Sequence, residues 1–160
     1  MSGQSNTTSR LPRTEAAVEL NSNNAHACMA LGNRLDLAGR TEDGIAQMEP
    51  SLQLNPRDPN RFVYMGYLGR AYVRLGDYET GAKWARGMVR LRPDHADAHY
   101  RLAVCLGHLG RAEEARAALA ECERLRPGFL KQRAGWWRPY PDEASNEHFF
   151  AGLRRLGLID

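Results

Sequence analysis

The residues with the most chemical potential lie in the second half of the chain. In HADAH, His95 and His99 are four apart, so one face of a helix could present both imidazoles to a metal ion, with Asp97 between them. Asp97, however, projects elsewhere on such a helix, and no third ligand is set by spacing. The expected roles are therefore a helix-capping His95 and a packed His99, with no metal and no cofactor. Cys105 and His108 have the spacing of a nucleophile and its base, but Cys105 falls within an apolar helical run and reads as a structural thiol. Glu113 and Glu114 fall in a first helical turn, where carboxylates suit the helix dipole. No phosphate-binding loop, dinucleotide fingerprint or Gly-x-Ser-x-Gly elbow occurs, and the expectation is a protein that is not an enzyme.

The elements that would carry these residues follow from three series that share one period. Turn glycines Gly39, Gly76 and Gly110 are separated by 37 and 34 residues, as are Pro56, Pro93 and Pro127, and as are Leu31, Leu68 and Leu102. All three series record the same insertion of three residues near Pro59 to Arg61. Within each period, apolar residues recur at helical spacing, as in Leu102, Leu106 and Leu109, then Ala115, Leu119 and Cys122. Two helices per period are expected. Asp58 before Pro59, Asp77 after Gly76 and Asp94 after Pro93 are the expected N-caps. Pro50, inside the helix predicted from about Thr41 to Leu54, is expected to kink or break it.

This pattern resembles the tetratricopeptide repeat, whose period is about 34 residues and whose motif is W-x2-L-G-x2-Y, A-x3-F, P. Its first part is matched by Cys28, Leu31, Gly32 and Leu35, by Met65, Leu68, Gly69 and Tyr72, and by His99, Leu102, Ala103 and Leu106. Gly44 and Met48, Gly81 and Ala85, and Ala115 and Leu119 match the second. Glycine for alanine at positions 44 and 81 allows close approach of helices but weakens each by up to about 1 kcal/mol. The resemblance implies an all-α solenoid of helix-turn-helix units with a C-terminal capping helix. Its expected organisation is a disordered segment 1–12, a partial repeat helix 13–24, three repeats over 25–127 (about 25–58, 62–95 and 96–129), and a C-terminal loop and capping helix over 128–160.

The tail contains a Pro-rich stretch with Trp136, Trp137 and Tyr140, then a helix from about Glu143 to Leu156 whose Phe149, Phe150, Leu153 and Leu156 form one apolar face. RPYPD followed by FFAGLRRLGL, with the AGR and LGD turns, is similar to the C-terminal tetratricopeptide region of some bacterial class III adenylate/guanylate cyclases. That resemblance implies the regulatory or scaffolding part of a cyclase-like protein, without the catalytic domain.

Repeat geometry implies a concave groove lined by the first helix of each repeat, and a protein or peptide as the partner. The residues expected there include Asn33, Tyr67, Arg70, Arg74, Tyr100, Arg101 and His108, with His26, Met29, Ala30, Asp36, Leu37, Val63, Gly66, Val73, Asp97 and Val104 beside them. The family's carboxylate clamp recurs only at Asn33 and Arg101; Met29 and Asp97 replace its lysines, and Tyr67 a second asparagine. The alternative is a self-association module, dimerising through an N-terminal edge that bears Val18 and Leu20.

Charge adds little. Of 22 basic residues all but two are arginine, yet the net charge is +3, too small for a strong phosphate footprint, so no nucleic acid is expected. The longest nearly apolar run, Phe62 to Gly69, is too short for a membrane span, and the N-terminus lacks the apolar stretch of a signal peptide. The unpaired spacing of Cys28, Cys105 and Cys122 argues for reduced thiols and a cytoplasmic protein.

Overall fold

The computed structural model describes the backbone of residues 11–160 and the side chains of 23–133 and 137–160; most of the segment expected to be disordered lies outside the described residues. The described chain is all helical: α1 (Leu11–Leu37), α2 (Thr41–Leu54), α3 (Arg61–Leu75), α4 (Tyr78–Leu91), α5 (Ala96–His108), α6 (Ala112–Leu125), α7 (Phe129–Trp136) and α8 (Glu143–Arg155). The hairpins α1/α2, α3/α4 and α5/α6 stack in chain order, with α2 against α3 and α4 against α5.

Each hairpin turn is closed in the same way. Gly39, Gly76 and Gly110 take left-handed φ values of 84°, 81° and 72°. The amide that follows each glycine bonds back five residues: Arg40 to Leu35, Asp77 to Tyr72 and Arg111 to Leu106. A side chain at the glycine would be strained in this conformation, which is why the turn glycine recurs with the period. Asp77 also accepts from the Thr80 amide, as its expected cap role requires.

Four local expectations change. Residues 13–24 do not form a separate repeat helix; α1 runs unbroken from Leu11, because no glycine or proline interrupts EAAVELNSNNAHACMAL after Pro12. Helix α2 continues through Pro50. Pro50 and Ala46, whose carbonyl loses its amide partner, are both exposed to water, while Ile45, Met48, Ser51 and Leu52 are buried on the other side. Helix α3 starts after Asn60, later than Asp58, whose carboxylate instead accepts from the Asn60 amide at 2.7 Å. Helix α5 is preceded by His95 with no side-chain cap, so Asp94 does not open it.

One buried cluster joins Met29, Met48, Leu68 and Met88 across the first two hairpins. A second joins Val104, Leu106, Leu119 and Cys122 to Phe129, Tyr140, Phe149 and Leu153, so the tail belongs to the core of the third. Helix α8 lies along α5. Gly152 and Gly107 make this crossing possible, since a Cβ on Gly152 would come within 2.7 Å of the Gly107 carbonyl carbon.

Candidate protein-binding groove

The first helices α1, α3 and α5 carry the predicted groove residues, and their arginines are held from below by acids. Asp36 on α1 is fully buried. It accepts from Thr41 Oγ1 at 3.0 Å and from Arg70 Nε and Nη2 at 3.2 and 2.8 Å. Arg70 also donates to Asn33 Oδ1 at 2.6 Å, and Arg74 donates to the Asp36 carbonyl at 2.5 Å. Asp97 on α5 plays the equivalent part further along, accepting from Arg101 Nε at 2.6 Å and from Arg133 of α7. Burial alone would raise the Asp97 carboxyl, but the Arg101 and Arg133 guanidiniums outweigh it and hold the group below its ordinary range. Arg101 completes its set on the Gly66 carbonyl at 3.1 Å.

Over this surface lies the chain's own tail. The Tyr140 ring sits 5.3 Å from the Arg70 guanidinium and 4.8 Å from that of Arg74, and its hydroxyl donates to the Arg70 carbonyl at 2.8 Å. Trp137 lies 5.7 Å from Arg101 and 4.1 Å from Arg133, with its edge on Tyr100 and Phe149. Midway along α8, His148 Nε2 is 3.1 Å from the Val73 carbonyl, and His108 Nε2 donates to the Phe149 carbonyl at 3.2 Å while its ring stacks on Tyr78 at 4.2 Å. Towards the other end of the groove the surface stays open. His26 Nδ1 is 2.5 Å from the Tyr64 hydroxyl, Tyr64 and Tyr67 are adjacent rings at 6.4 Å, Tyr67 touches Arg70, and Val63 is 45% exposed.

A sequence-family comparison matches a tetratricopeptide repeat model twice, over residues 29–96 and 67–128. The chain belongs to the tetratricopeptide repeat family. Comparison with curated proteins gives no match. Among solved structures, MamA is similar with a TM-score of 0.62 at 18% identity, over 90% of this chain and 75% of that one. The first tetratricopeptide domain of Spaghetti (RPAP3), bound to the HSP90 peptide SRMEEVD, gives 0.61 at 17% identity over 85% and 95%. The C-terminal tetratricopeptide domain of a Plasmodium falciparum FK506-binding protein gives 0.62 at 16% over 88% and 93%. At these identities the likeness speaks for the fold alone. Neither the family match nor these structures supports a link to cyclases.

Within this tetratricopeptide array, the expectation of a groove open along all three repeats is corrected at the third. Tyr100 is 2% exposed beneath Phe129 and Trp137, and His108 lies under α8. Arg70, Arg74 and Arg101 are committed to Asp36 and Asp97 and face the tail; Asn33 supports Arg70; Tyr67 remains on the open part. Met29, Val73 and Val104 are core residues. Asp36 was expected beside the groove but not as the acid that holds its arginines, and Tyr140 and Asn146 were not placed at the site. The signal for Asp36 was that Asn33 and Arg70, 37 apart, hold the same position in successive repeats, which puts Asp36 one turn along α1 from the counterpart of Arg70.

The candidate chemical constellations also separate. His95 holds the position before α5 but packs its ring on Phe62 at 4.6 Å and makes no side-chain cap, whereas His99 Nε2 is 2.8 Å from the Pro93 carbonyl. Cys105 faces α4 with its thiol pushed up to about 12 by burial, away from the His108 ring. Among the described residues no three His, Cys, Asp or Glu side chains group as metal ligands, and no helix is long and apolar enough to cross a membrane.

Burial lowers both His95 and His108 below the ordinary value of 6.5. His148 and Arg155 add to the effect at His108. A depressed folded pKa means that the unfolded chain binds the proton more readily, so this contribution to stability is complete above 6.5 and is lost as pH falls below it. The melting temperature is therefore expected to be lower at about pH 5.5 than at about pH 7.5, and His108→Gln is expected to narrow the difference. An unchanged melting temperature across that interval would contradict the neutral state of these half-buried rings.

Proposed function

We propose that this protein is a non-catalytic interaction module that holds a peptide or segment of a partner protein on the inner face, at the open end bounded by His26, Val63 and Tyr67. The observation that carries this reading is one continuous row, His26, Tyr64, Tyr67, Arg70 and Tyr140, whose far end is covered by the chain's own tyrosine while its near end faces solvent at Val63. Tyrosine and arginine on a rigid, prearranged scaffold are the side chains that most often anchor binding. The peptide bound by the RPAP3 domain supports the same class of function. The carboxylate clamp that the family resemblance implied does not suit this groove, because Arg101 is turned onto Asp97 and Gly66 and Asn33 onto Arg70. No cyclase context is needed for the proposal.

A second reading, self-association, has its own observation. Leu31 is 49% exposed on α1, although Leu68 at the same position of the next repeat is fully buried. The N-terminal edge would meet a second copy there. The edge residues named in the sequence, Val18 and Leu20, lie outside the described side chains.

One experiment separates the two. A photo-reactive amino acid is placed at Val63, at Leu31 or at the exposed Lys83 control of the full chain, and irradiated in cells of the source organism. Capture of a foreign protein at Val63 and not at Lys83 is expected. A product of twice the chain's mass, formed at Leu31 alone, would favour the dimer, and Val63 behaving like Lys83 would refute the groove.

A further inference from the structure

The tail that covers the far end of the groove differs from an ordinary connecting loop, because residues 137–142, WRPYPD, carry their own backbone hydrogen bonds with them. Asn146 accepts from the Tyr140 amide at 3.0 Å and donates to the carbonyls of Tyr140 and Asp142, each at 3.0 Å. Asp142 in turn caps α8 through the Ser145 amide at 2.7 Å. The stretch and α8 thus form one clasped unit whose departure would strand none of these backbone groups, its cost being the uncovering of the apolar face of α5 that Phe149 and Leu153 now seal. Its polar attachments to α3 are few: the Tyr140 hydroxyl on the Arg70 carbonyl, His148 at the Val73 carbonyl, and an exposed Arg74 to Asp142 contact at 3.3 Å.

The receptor surface is equally self-sufficient. Arg70 is fixed by Asp36 and Asn33, Arg74 by the Asp36 carbonyl, and Arg101 by Asp97 and the Gly66 carbonyl, all within the repeats. Removing the tail leaves these guanidiniums in place to receive an aromatic ring.

We propose that Trp137 to Asp142 with α8 is a ligand in cis, and that the partner it excludes from the far half of the groove has the same chemistry: an aromatic side chain flanked by prolines and followed by a carboxylate. This rests on the reading of the inner face as the binding face. It adds that the face is occupied in the isolated chain and that binding there requires the tail to leave.

The probe is a fluorescent peptide of residues 137–160, and the receptor is the full-length chain. Tethering gives the cis segment an effective concentration of about a millimolar, so the wild type is expected to bind the free peptide about tenfold or more weakly than Gly152→Leu, whose side chain drives α8 from Gly107. Arg74→Ala added to Gly152→Leu, or Tyr140→Ala in the peptide, is expected to remove binding. A folded Gly152→Leu chain that does not bind, or a wild type that binds equally well, overturns the proposal. Should Gly152→Leu lose its helical circular dichroism, hydrogen exchange on the wild type decides: α8 amides opening together ahead of those of α5 support a detachable tail, and exchange in step with α5 overturns it. Peptide binding without cross-linking at Val63 would sink the open-end reading and keep this one; cross-linking without peptide binding would do the reverse.

Discussion

Asp36→Ala is expected to lower the unfolding free energy by about 3–5 kcal/mol, the usual consequence of removing one partner of a buried pair. Asp36 is 0% exposed and receives Thr41, Arg70 and Arg74 at once. Without it the Arg70 guanidinium, 9% exposed, keeps its charge in a site that water scarcely reaches. Neutralisation offers no escape, since arginine does not lose its proton in proteins. The change can be read from urea denaturation as a fall in midpoint at constant slope. Replacing both partners, with Asp36→Leu and Arg70→Met together, is expected to recover much of the loss, because what costs free energy is the stranded charge. A single substitution costing under about 1 kcal/mol would show that the pair is hydrated.

This pair also shows how far the sequence could be read. The repeat period was legible because every hairpin must solve the same closure, and only glycine does so without strain at Gly39, Gly76 and Gly110. The positions of Asp36, Arg70, Arg74 and Arg101 on the inner face followed from that period. Their pairing did not, because periodicity says which face a residue is on and nothing about which of several arginines an acid selects.

The course of the tail was hidden for a different reason. The apolar stripe of Phe149, Phe150 and Leu153 announced a helix that must cover something, and it does. The target of that stripe depends on Gly107 and Gly152 meeting across α5 and α8, a contact between residues 45 apart that no local pattern encodes. The same limit explains α1: repeat register suggested that a partial helix ends at residue 24, but no residue there stops a helix.

Gly44→Ala is expected to destabilise the chain by about 2 kcal/mol or more, although alanine is the family's own residue at this position and favours a helix by about 1 kcal/mol. A Cβ at Gly44 would lie 2.5 Å from the Gly32 carbonyl oxygen and 3.1 Å from the Asp36 amide nitrogen. Both are backbone atoms of α1, so relief requires the two helices to part, and that displaces Asp36 from its arginines. At Gly81 the same methyl would meet the Cys105 thiol at 3.2 Å, the Gly69 carbonyl oxygen at 3.3 Å and a Val73 methyl at 3.4 Å. Shifts of a few tenths of an ångström relieve these contacts, and the helix gain offsets them, so Gly81→Ala should stay within about 1 kcal/mol of wild type. Equal effects at the two glycines would contradict the closer approach of α1 to α2. Because Gly44→Ala acts partly by moving Asp36, its cost should not add to that of Asp36→Ala; the double variant is expected to be more stable than the sum of the two losses allows.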